Sequence, residues 1–274
     1  MPSHLPRRLI AVAVLCAASQ SALATSRWTF GCGSTGLPAC GGTVDASQTY
    51  SATGTSTTNT ARVSGWANTG AVGDNSQARL ASGSIRTWST GLGVTSAGES
   101  TTSPNHALDS SGPDEFVLVS FAQAVNLTNV GVGWFNTDFD ITVLAFTGSG
   151  TPNLTNNTLS AADLAGGATT GLINGGWTLV GNRSNASATL AGTVNNYTLA
   201  NNISSSHWLI GAYNTGVGGT NEGWTTGDDF FKLLHVGGLT TPSGGGGGAP
   251  VPVPGTLALI ALGLPFLRRR LAVV

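Results

Sequence analysis

Acidic residues are the side chains of this sequence with the clearest capacity for chemistry. Asp138 and Asp140 are separated by one residue, so on a strand both side chains project to the same face. On a loop, the two carboxylates could share a calcium ion, which prefers hard oxygen ligands. The glycine and the closing glutamate of an EF-hand loop do not follow them. The prediction of calcium therefore depends on Asp138 and Asp140, and no other cofactor is expected.

Two further acidic pairs directly precede apolar runs. They are Asp114–Glu115 and Asp228–Asp229. Adjacent carboxylates cannot both point inward on a strand. We interpret these pairs as solvated residues at strand starts or as turn formers, and a calcium site that includes some of them is the alternative.

Catalytic machinery is not indicated by the remaining polar residues. No Gly-x-Ser-x-Gly elbow lies on a strand-to-helix turn. His106, His207 and His235 are isolated in the sequence and lack the spacing of metal ligands. Nothing selects two carboxylates that would face each other across a glycosidase cleft. We predict that the protein is not an enzyme, and a hydrolase is the third hypothesis.

Three tryptophans could form a binding surface for sugars. Trp66, Trp88 and Trp224 lie among Gly, Asn and Thr residues, which favours exposure of their rings. Flat indole rings stack on pyranose faces, although core packing is the usual role of tryptophan. Trp134 and Trp208 fit core positions instead. Trp66, Trp88 and Trp224 are therefore the residues predicted to bind a glycan.

Cys32 and Cys40 are predicted to form a disulfide. They are the two cysteines that follow the N-terminal apolar segment, and an even number of cysteines in an oxidising compartment favours pairing. The loop between them is short and glycine-rich. Metal ligation is the alternative, but no histidine or second cysteine pair lies nearby in the sequence.

The composition limits the class of protein. Of 274 residues, 40 are glycine and 8% are charged, against about 25% in a typical soluble domain. Lys232 is the single lysine, so the clustered basic residues that nucleic-acid binding requires are missing. Coiled coils and helical bundles are also disfavoured, because they are built from Ala, Glu, Lys, Leu and Arg.

An all-β fold is predicted for residues 25–242, as a single antiparallel β-sandwich of the jelly-roll kind. Short runs rich in β-branched and aromatic residues alternate there with Gly, Asn and Ser turns. The predicted strands are 116–122, 130–134, 141–147, 177–180, 197–199, 207–213 and 230–236. We expect a turn-like connection at 123–127, one or two helical turns at 159–165, and loops with short strands over 41–112.

The first 24 residues predict a secretory signal peptide. Arg7 and Arg8 form its positive region, residues 9–18 are an uninterrupted apolar run, and Ala22 and Ala24 form the cleavage site. Ten apolar residues in a helix span about 15 Å of a hydrocarbon core that is about 30 Å thick. We therefore predict export through the Sec translocon with cleavage after Ala24.

The C-terminal segment has the parts of a second targeting signal. A Gly-rich spacer covers 243–250, and residues 251–274 hold a Pro-x-Pro motif, an apolar run and an arginine cluster. The apolar run predicts a short transmembrane helix after Pro254, and the arginines would hold its far end in the cytoplasm. The residues of this signal are Pro252, Val253, Pro254, Gly255, Arg268, Arg269 and Arg270.

The stretch VPVPGTLALIALGLPFLRRR resembles the PEP-CTERM sorting signal of Gram-negative bacteria. It departs from that pattern at Val253, where the usual residue is Glu. The resemblance implies transient anchoring in the inner membrane and cleavage near residues 252–254 by an exosortase, a membrane cysteine protease. An ordinary C-terminal membrane anchor is the alternative.

The body of the chain resembles a family of exosortase-dependent surface proteins. The matching blocks are GWFNTDFDITVLAFTG at 133–148, GWTLV at 176–180, WLIGAYN at 208–214 and DDFFKL at 228–233. The resemblance implies a secreted, β-rich surface protein, and it supplies no catalytic residues.

The predicted mature body is acidic. Residues 25–242 contain twelve acidic and six basic residues, for a net charge of −6, which favours solubility and could attract calcium. We predict a non-catalytic bacterial surface or extracellular-matrix protein that is sorted by exosortase and associated with extracellular polysaccharide. The alternative is a carbohydrate-binding β-sandwich module, with or without dependence on calcium.

Overall fold

The computed structural model describes residues 24–33, 40, 46–54, 58–70, 79–160, 170–184, 195–219 and 224–240. These residues lie in one compact unit that spans Leu23–Thr241. They form β-strands and two short 3₁₀ turns, Leu154–Asn156 and Thr215–Val217, without an α-helix in the described ranges. The predicted all-β class is therefore confirmed. The predicted helical turns at 159–165 lie mostly outside the described residues.

The strands are β1 (Ala24–Thr29), β2 (Ser47–Gly54), β3 (Thr60–Gly70), β4 (Arg79–Trp88), β5 (Gly91–Thr95), β6 (Leu108–Asp109), β7 (Glu115–Phe135), β8 (Ile141–Phe146), β9 (Asn157–Thr158), β10 (Thr170–Gly171), β11 (Trp177–Arg183), β12 (Asn195–Thr198), β13 (Ser205–Ala212) and β14 (Phe230–Thr240). They form one large mixed sheet in the order β10-β9-β4-β5-β14-β1-β2-β3-β7-β13-β8-β11, with β12 on β7 and β6 on β14. Further pairings join β3 to β4 and β7 to β14.

One pair of strands departs from the expected antiparallel arrangement. β9 and β10 are parallel, with Thr170 opposite Asn157. Parallel neighbours need a connection long enough to return the chain to the same end of the sheet. In the sequence, residues 159–169 separate the two strands.

The strand β7 is continuous where the sequence predicted a break. A turn-like connection at 123–127 is wrong, because Val125 and Leu127 are buried and continue the inward alternation of the strand. The first part of β7 pairs with β3 and β13. The second part pairs with β14, from Val125 opposite Thr240 to Phe135 opposite Phe231. The long strand thus changes partners along its length.

The first half of the chain contains longer strands than its polar sequence predicted. β2, β3 and β4 have 8, 11 and 10 residues. In β3 the buried positions are Ala61, Val63, Gly65 and Ala67. Small inward residues give a weak hydrophobic alternation, which is the sequence signal for a half-buried strand. The strands were therefore poorly marked although they are regular.

Large aromatic residues fill the core. Trp28 and Trp208 are both fully buried in the larger of two hydrophobic clusters, and Trp28 packs on Phe121 with ring centres 4.5 Å apart. The second cluster is built around Trp177 and Phe116. Trp208 therefore occupies the core position that its sequence context predicted, whereas Trp134, for which a core position was also predicted, is only half-buried.

Cys32 and Cys40 form the predicted disulfide, with 8 positions of sequence separation. Cys32 is buried, whereas Cys40 is exposed. The Cys32 N–H donates a hydrogen bond of 3.1 Å to the carbonyl of Trp88. The disulfide therefore lies where the chain leaving β1 passes the end of β4.

Candidate functional site

The candidate site is a cluster of three aspartates at the ends of two paired strands. Asp138 and Asp140 lie in the connection from β7 to β8, and Asp229 immediately precedes β14. Asp138 and Asp229 form an isolated bridge, and the Phe230 N–H donates to the Asp138 carbonyl at 2.9 Å. These backbone contacts bring residues about ninety positions apart into one site.

The carboxylates converge. One oxygen from each of Asp138, Asp140 and Asp229 lies within 4.8 Å of the others. Asp140 is 3% exposed and Asp229 is 0% exposed. The Asp229 carboxylate accepts hydrogen bonds from the Asp140 N–H at 2.5 Å and from the Ser110 hydroxyl at 3.2 Å. Two neutral donors therefore orient a buried carboxyl group beside two others.

Burial and like charge raise the proton affinity of this cluster. Burial is the largest cause that raises the pKa of Asp229, to about 8, and the carboxylates of Asp140 and Asp138 add to it. Burial and the same three carboxylates also raise the pKa of Tyr197 above its usual range. The Tyr197 hydroxyl is buried and has no hydrogen-bond partner in the described structure. The site therefore places acidic groups close together where hydration is low, and this favours their protonated, neutral forms.

A polar rim extends the cluster toward the surface. The Thr225 hydroxyl donates to Asp228 at 2.9 Å and reaches Asp138 at 3.5 Å. The second Asp228 oxygen is buried without a partner among the described residues. Thr225 thus links Asp228 to the three aspartates, of which Asp140 and Asp229 are buried, and carboxylate oxygens are the ligands that calcium prefers.

The sequence identified part of this cluster. Asp138 and Asp140 were predicted as calcium ligands from their spacing, and the structure brings them together. The interpretation of Glu115 as a solvated residue at a strand start is wrong, because its side chain is fully buried. Asp229 received the same interpretation, yet it is fully buried in the cluster. Its position directly before an apolar run was the available signal. Tyr197, in a short polar strand, carried no comparable signal.

Tyr197, which the aspartates influence electrostatically, also lines an open pocket. Its volume is about 380 Å³, within the usual range for ligand pockets. Its lining residues are Asn182, Arg183, Ser184, Asn196, Tyr197, Thr198 and Trp224. Tyr197 is shared by the pocket and the aspartate environment. An aromatic ring, amides and a guanidinium are suitable partners for a hydroxylated ligand.

The three tryptophans predicted as glycan ligands lie in different environments. Trp224 lines the pocket and packs edge-on against Tyr213, with ring centres 5.1 Å apart. Trp66 packs against the second core cluster and donates to the Ser64 hydroxyl at 3.0 Å. Trp88 lies under the Lys232 ammonium. Of the three, Trp224 alone lines this pocket.

His207 and His235 are held by neighbouring polar groups, whereas the His106 ring packs against Trp88 with ring centres 4.4 Å apart. His207 and Ser120 are cross-strand neighbours, and the His207 Nδ1 lies 3.1 Å from the Ser120 hydroxyl oxygen. Within the described ranges, no carboxylate bonds to the other ring nitrogen, as a hydrolytic triad would require. His235 lies between the Arg27 guanidinium and the Asn129 side chain, at 2.8 and 2.9 Å.

The predicted signal peptide and the predicted sorting signal lie outside the described residues, apart from Ala24. Ala24 is the first residue of β1. Ala22 and the sorting residues 252–255 and 268–270 lie outside the described residues. Among the described residues, no helix has the length and apolar character needed to cross a bilayer.

No protein-family model, curated protein or solved structure matches this chain.

Proposed function

We propose that the protein is an exported, non-catalytic bacterial surface protein whose C-terminal tail is cut by an exosortase. One observation carries the proposal: Ala24 and Thr240 are antiparallel partners in the pairing of β1 with β14. The folded body thus begins at the predicted signal-peptide cleavage site and ends just before the predicted spacer. Both cleavages would leave the sheet intact, except for Ala24 at the strand end.

The disulfide supports the same location. Disulfides persist in oxidising compartments such as the periplasm and the cell surface, and Cys32 and Cys40 form one within the body. In the proposed route, the Sec translocon exports the chain and the C-terminal helix holds it transiently in the inner membrane. Exosortase then removes the tail, and the body reaches the cell surface or an extracellular polysaccharide matrix.

Deletion of the exosortase gene in the host tests the sorting step. We expect full-length chain with its tail in the inner membrane, whereas the wild-type host yields a body that ends near residues 252–254. Mass analysis of both termini measures the two cleavages separately. Unchanged C-terminal processing in the deletion strain would contradict the proposal.

Two variants of the tail sharpen this test. Replacement of Arg268, Arg269 and Arg270 by Ser removes the cytoplasmic charge, so we expect loss of tail processing with an unaltered N-terminus. Val253→Glu restores the usual motif residue and serves as the matched control, since its processing should equal or exceed that of the wild type.

Carbohydrate binding is the second candidate function, and the open pocket that Tyr197 and Trp224 line favours it. In this proposal the body is a jelly-roll-like sandwich, Trp224 stacks on a sugar ring, and the exposed amide of Asn196 bonds to its hydroxyls. Asp138, Asp140 and Asp229 hold calcium next to Tyr197. The proximity of Tyr197 to both the pocket and the aspartates supports the link between the two sites.

A glycan array tests this second candidate. We expect binding to extracellular polysaccharide fragments that Trp224→Ala removes and that chelation of calcium weakens. Trp66→Ala is the matched control, because Trp66 packs against the core away from the lining residues. Absence of glycan binding by a correctly delivered protein would contradict carbohydrate binding and leave the surface-protein proposal standing.

A further inference from the structure

A second group of carboxylates lies away from the aspartate cluster. Glu99 follows β5, Asp109 ends β6 and Glu115 begins β7. One oxygen from each lies within 4.8 Å of the others. Asp109 and Glu115 are both 0% exposed, and Glu99 is partly buried. We call these three residues the glutamate cluster.

Hydrogen bonds orient two members of the glutamate cluster through one oxygen each. The Glu99 Oε2 accepts from the Ser96 N–H at 2.9 Å and from the Ser96 hydroxyl at 3.1 Å. The Asp109 Oδ1 accepts from the Ser111 N–H at 3.0 Å. The second oxygen of each carboxylate, Glu99 Oε1 and Asp109 Oδ2, is buried and has no hydrogen-bond partner in the described structure.

Glu115 is the independent indication of a ligand. Its side chain is fully buried, points into the group, and neither of its oxygens has a hydrogen-bond partner among the described residues. A buried polar group without a partner is costly, and a buried charge is more costly still. Four carboxylate oxygens of the glutamate cluster, one each from Glu99 and Asp109 and two from Glu115, are thus buried without a hydrogen-bond partner among the described residues. They need a counter-charge or a proton.

Neighbouring groups intensify this need. Burial raises the pKa of Glu115 to about 12, and the adjacent carboxylates of Glu99 and Asp109 contribute. Burial and Glu99 also raise the pKa of Asp109 to about 7. The charged groups that influence these two residues are all acidic, including Asp114 beside Asp109. No basic side chain among them offsets the negative charge.

We propose that Glu99, Asp109 and Glu115 bind one divalent cation of the calcium class. Three carboxylates can supply up to six oxygens, and calcium takes six to eight oxygen ligands from mono- or bidentate carboxylates. Magnesium retains several waters in most protein sites, which a fully buried pair of ligands does not favour. The ion would join the chain after β5 to the start of β7 and stabilise the body outside the cell.

Thermal unfolding of the full chain, freed of cations with EDTA, tests the site. We expect about 5 mM calcium chloride to raise the unfolding midpoint by about 5 °C. Glu115→Gln, made in an Asp138→Asn background that removes any calcium response of the aspartate cluster, should lose this response, since an amide cannot replace the charged ligand. Asp138→Asn, in the other acidic group, is the matched control and should retain a calcium response.

The same variants separate the cation from the competing explanation. If a proton shared by Glu115 and Glu99 neutralises the cluster instead, the wild type will not respond to calcium, or Glu115→Gln in the Asp138→Asn background will respond as Asp138→Asn does. Either result overturns the proposal, as does a response that Asp138→Asn alone abolishes. Glu99→Gln, at the most exposed ligand, replaces Glu115→Gln if that variant fails to fold, with the same expected loss.

Discussion

The ammonium group of Lys232 lies 4.0 Å from the centre of the Trp88 ring. It also lies 4.5 Å from the centre of the Trp134 ring, so the single lysine of the chain is held between two indoles. Lys232 is 5% exposed, and burial lowers the pKa of its ammonium to about 8. The cation–π contacts therefore offset part of the cost of burying this charge.

A double-mutant cycle should detect this contact. We expect Lys232→Met and Trp88→Leu to be coupled by about 1 kcal/mol in the free energy of unfolding, measured by denaturant titration near neutral pH. The pKa of Lys232 is lower in the folded protein than in the unfolded chain, so the unfolded chain binds more protons between about pH 8 and pH 10. The free energy of unfolding therefore increases as the pH rises through this range. Lys232→Met should abolish that increase. A coupling energy near zero would show that the Trp88 ring does not stabilise the ammonium.

Asp229 should make the body less stable as the pH rises from about 4 to about 8. Its folded pKa is raised from 3.8 to about 8, so the folded state binds more protons than the unfolded state between these values. Stability therefore falls as the pH rises through this range. In EDTA, Asp229→Asn should flatten the decline between about pH 5 and pH 8 by a few kcal/mol, since each pK unit corresponds to about 1.4 kcal/mol.

The asparagine in this variant preserves the local hydrogen bonds. Its amide oxygen can still accept from the Asp140 N–H, and its amide nitrogen can donate to the Ser110 hydroxyl oxygen. Denaturant titrations at several pH values compare the two proteins. Parallel pH profiles for the wild type and Asp229→Asn would contradict the assignment of this pH dependence to Asp229.

Gly131 should not tolerate a side chain. A Cβ at this position would collide with the His235 ring, which is held between Arg27 and Asn129. We expect Gly131→Ala to reduce the free energy of unfolding by about 3 kcal/mol. Gly237→Ala is the matched control, because its nearest neighbour would lie at an ordinary 3.5 Å. A loss in Gly131→Ala no greater than in Gly237→Ala would refute the close approach of His235.

The disulfide should contribute measurably to stability. The loop-entropy model for a separation of 8 residues gives about 2.5 kcal/mol. We expect the double variant Cys32→Ala, Cys40→Ala to lose about this amount in a denaturant titration. A reducing agent should destabilise the wild type and leave the double variant unchanged, which controls for the cavity at buried Cys32. Equal sensitivity of both proteins to the reductant would exclude the disulfide as the cause.

Strands with continuous apolar sequence were predictable. The runs predicted at 141–147, 207–213 and 230–236 correspond to β8, β13 and β14. All six residues of β8 are buried, and covering on both faces produces a run without polar interruption. In contrast, β3 turns Ala61 and Gly65 inward, so its burial depends on how closely neighbouring strands approach. Composition does not record that distance.

The candidate site also has one part that was predictable from the sequence and one that was not. The spacing of Asp138 and Asp140 is a local property, and it predicted that the two carboxylates share a site. The addition of Asp229 depends on the pairing of β7 with β14, in which residues about a hundred positions apart become neighbours. Trp66, Trp88 and Trp224 had similar sequence contexts. In the structure, however, Trp66 packs against the core, Trp88 contacts Lys232 and Trp224 lines a pocket.

The sequence by itself determined the all-β class and the cysteine pair, and it predicted the signal peptide and the sorting signal, because these follow from composition, short-range spacing and hydrophobic periodicity. Only the tertiary structure decided which acidic residues converge, where β7 changes partners and what each tryptophan contacts. Those features depend on strand register. Register is set by the packing of side chains from distant parts of the chain, so no local pattern encodes it.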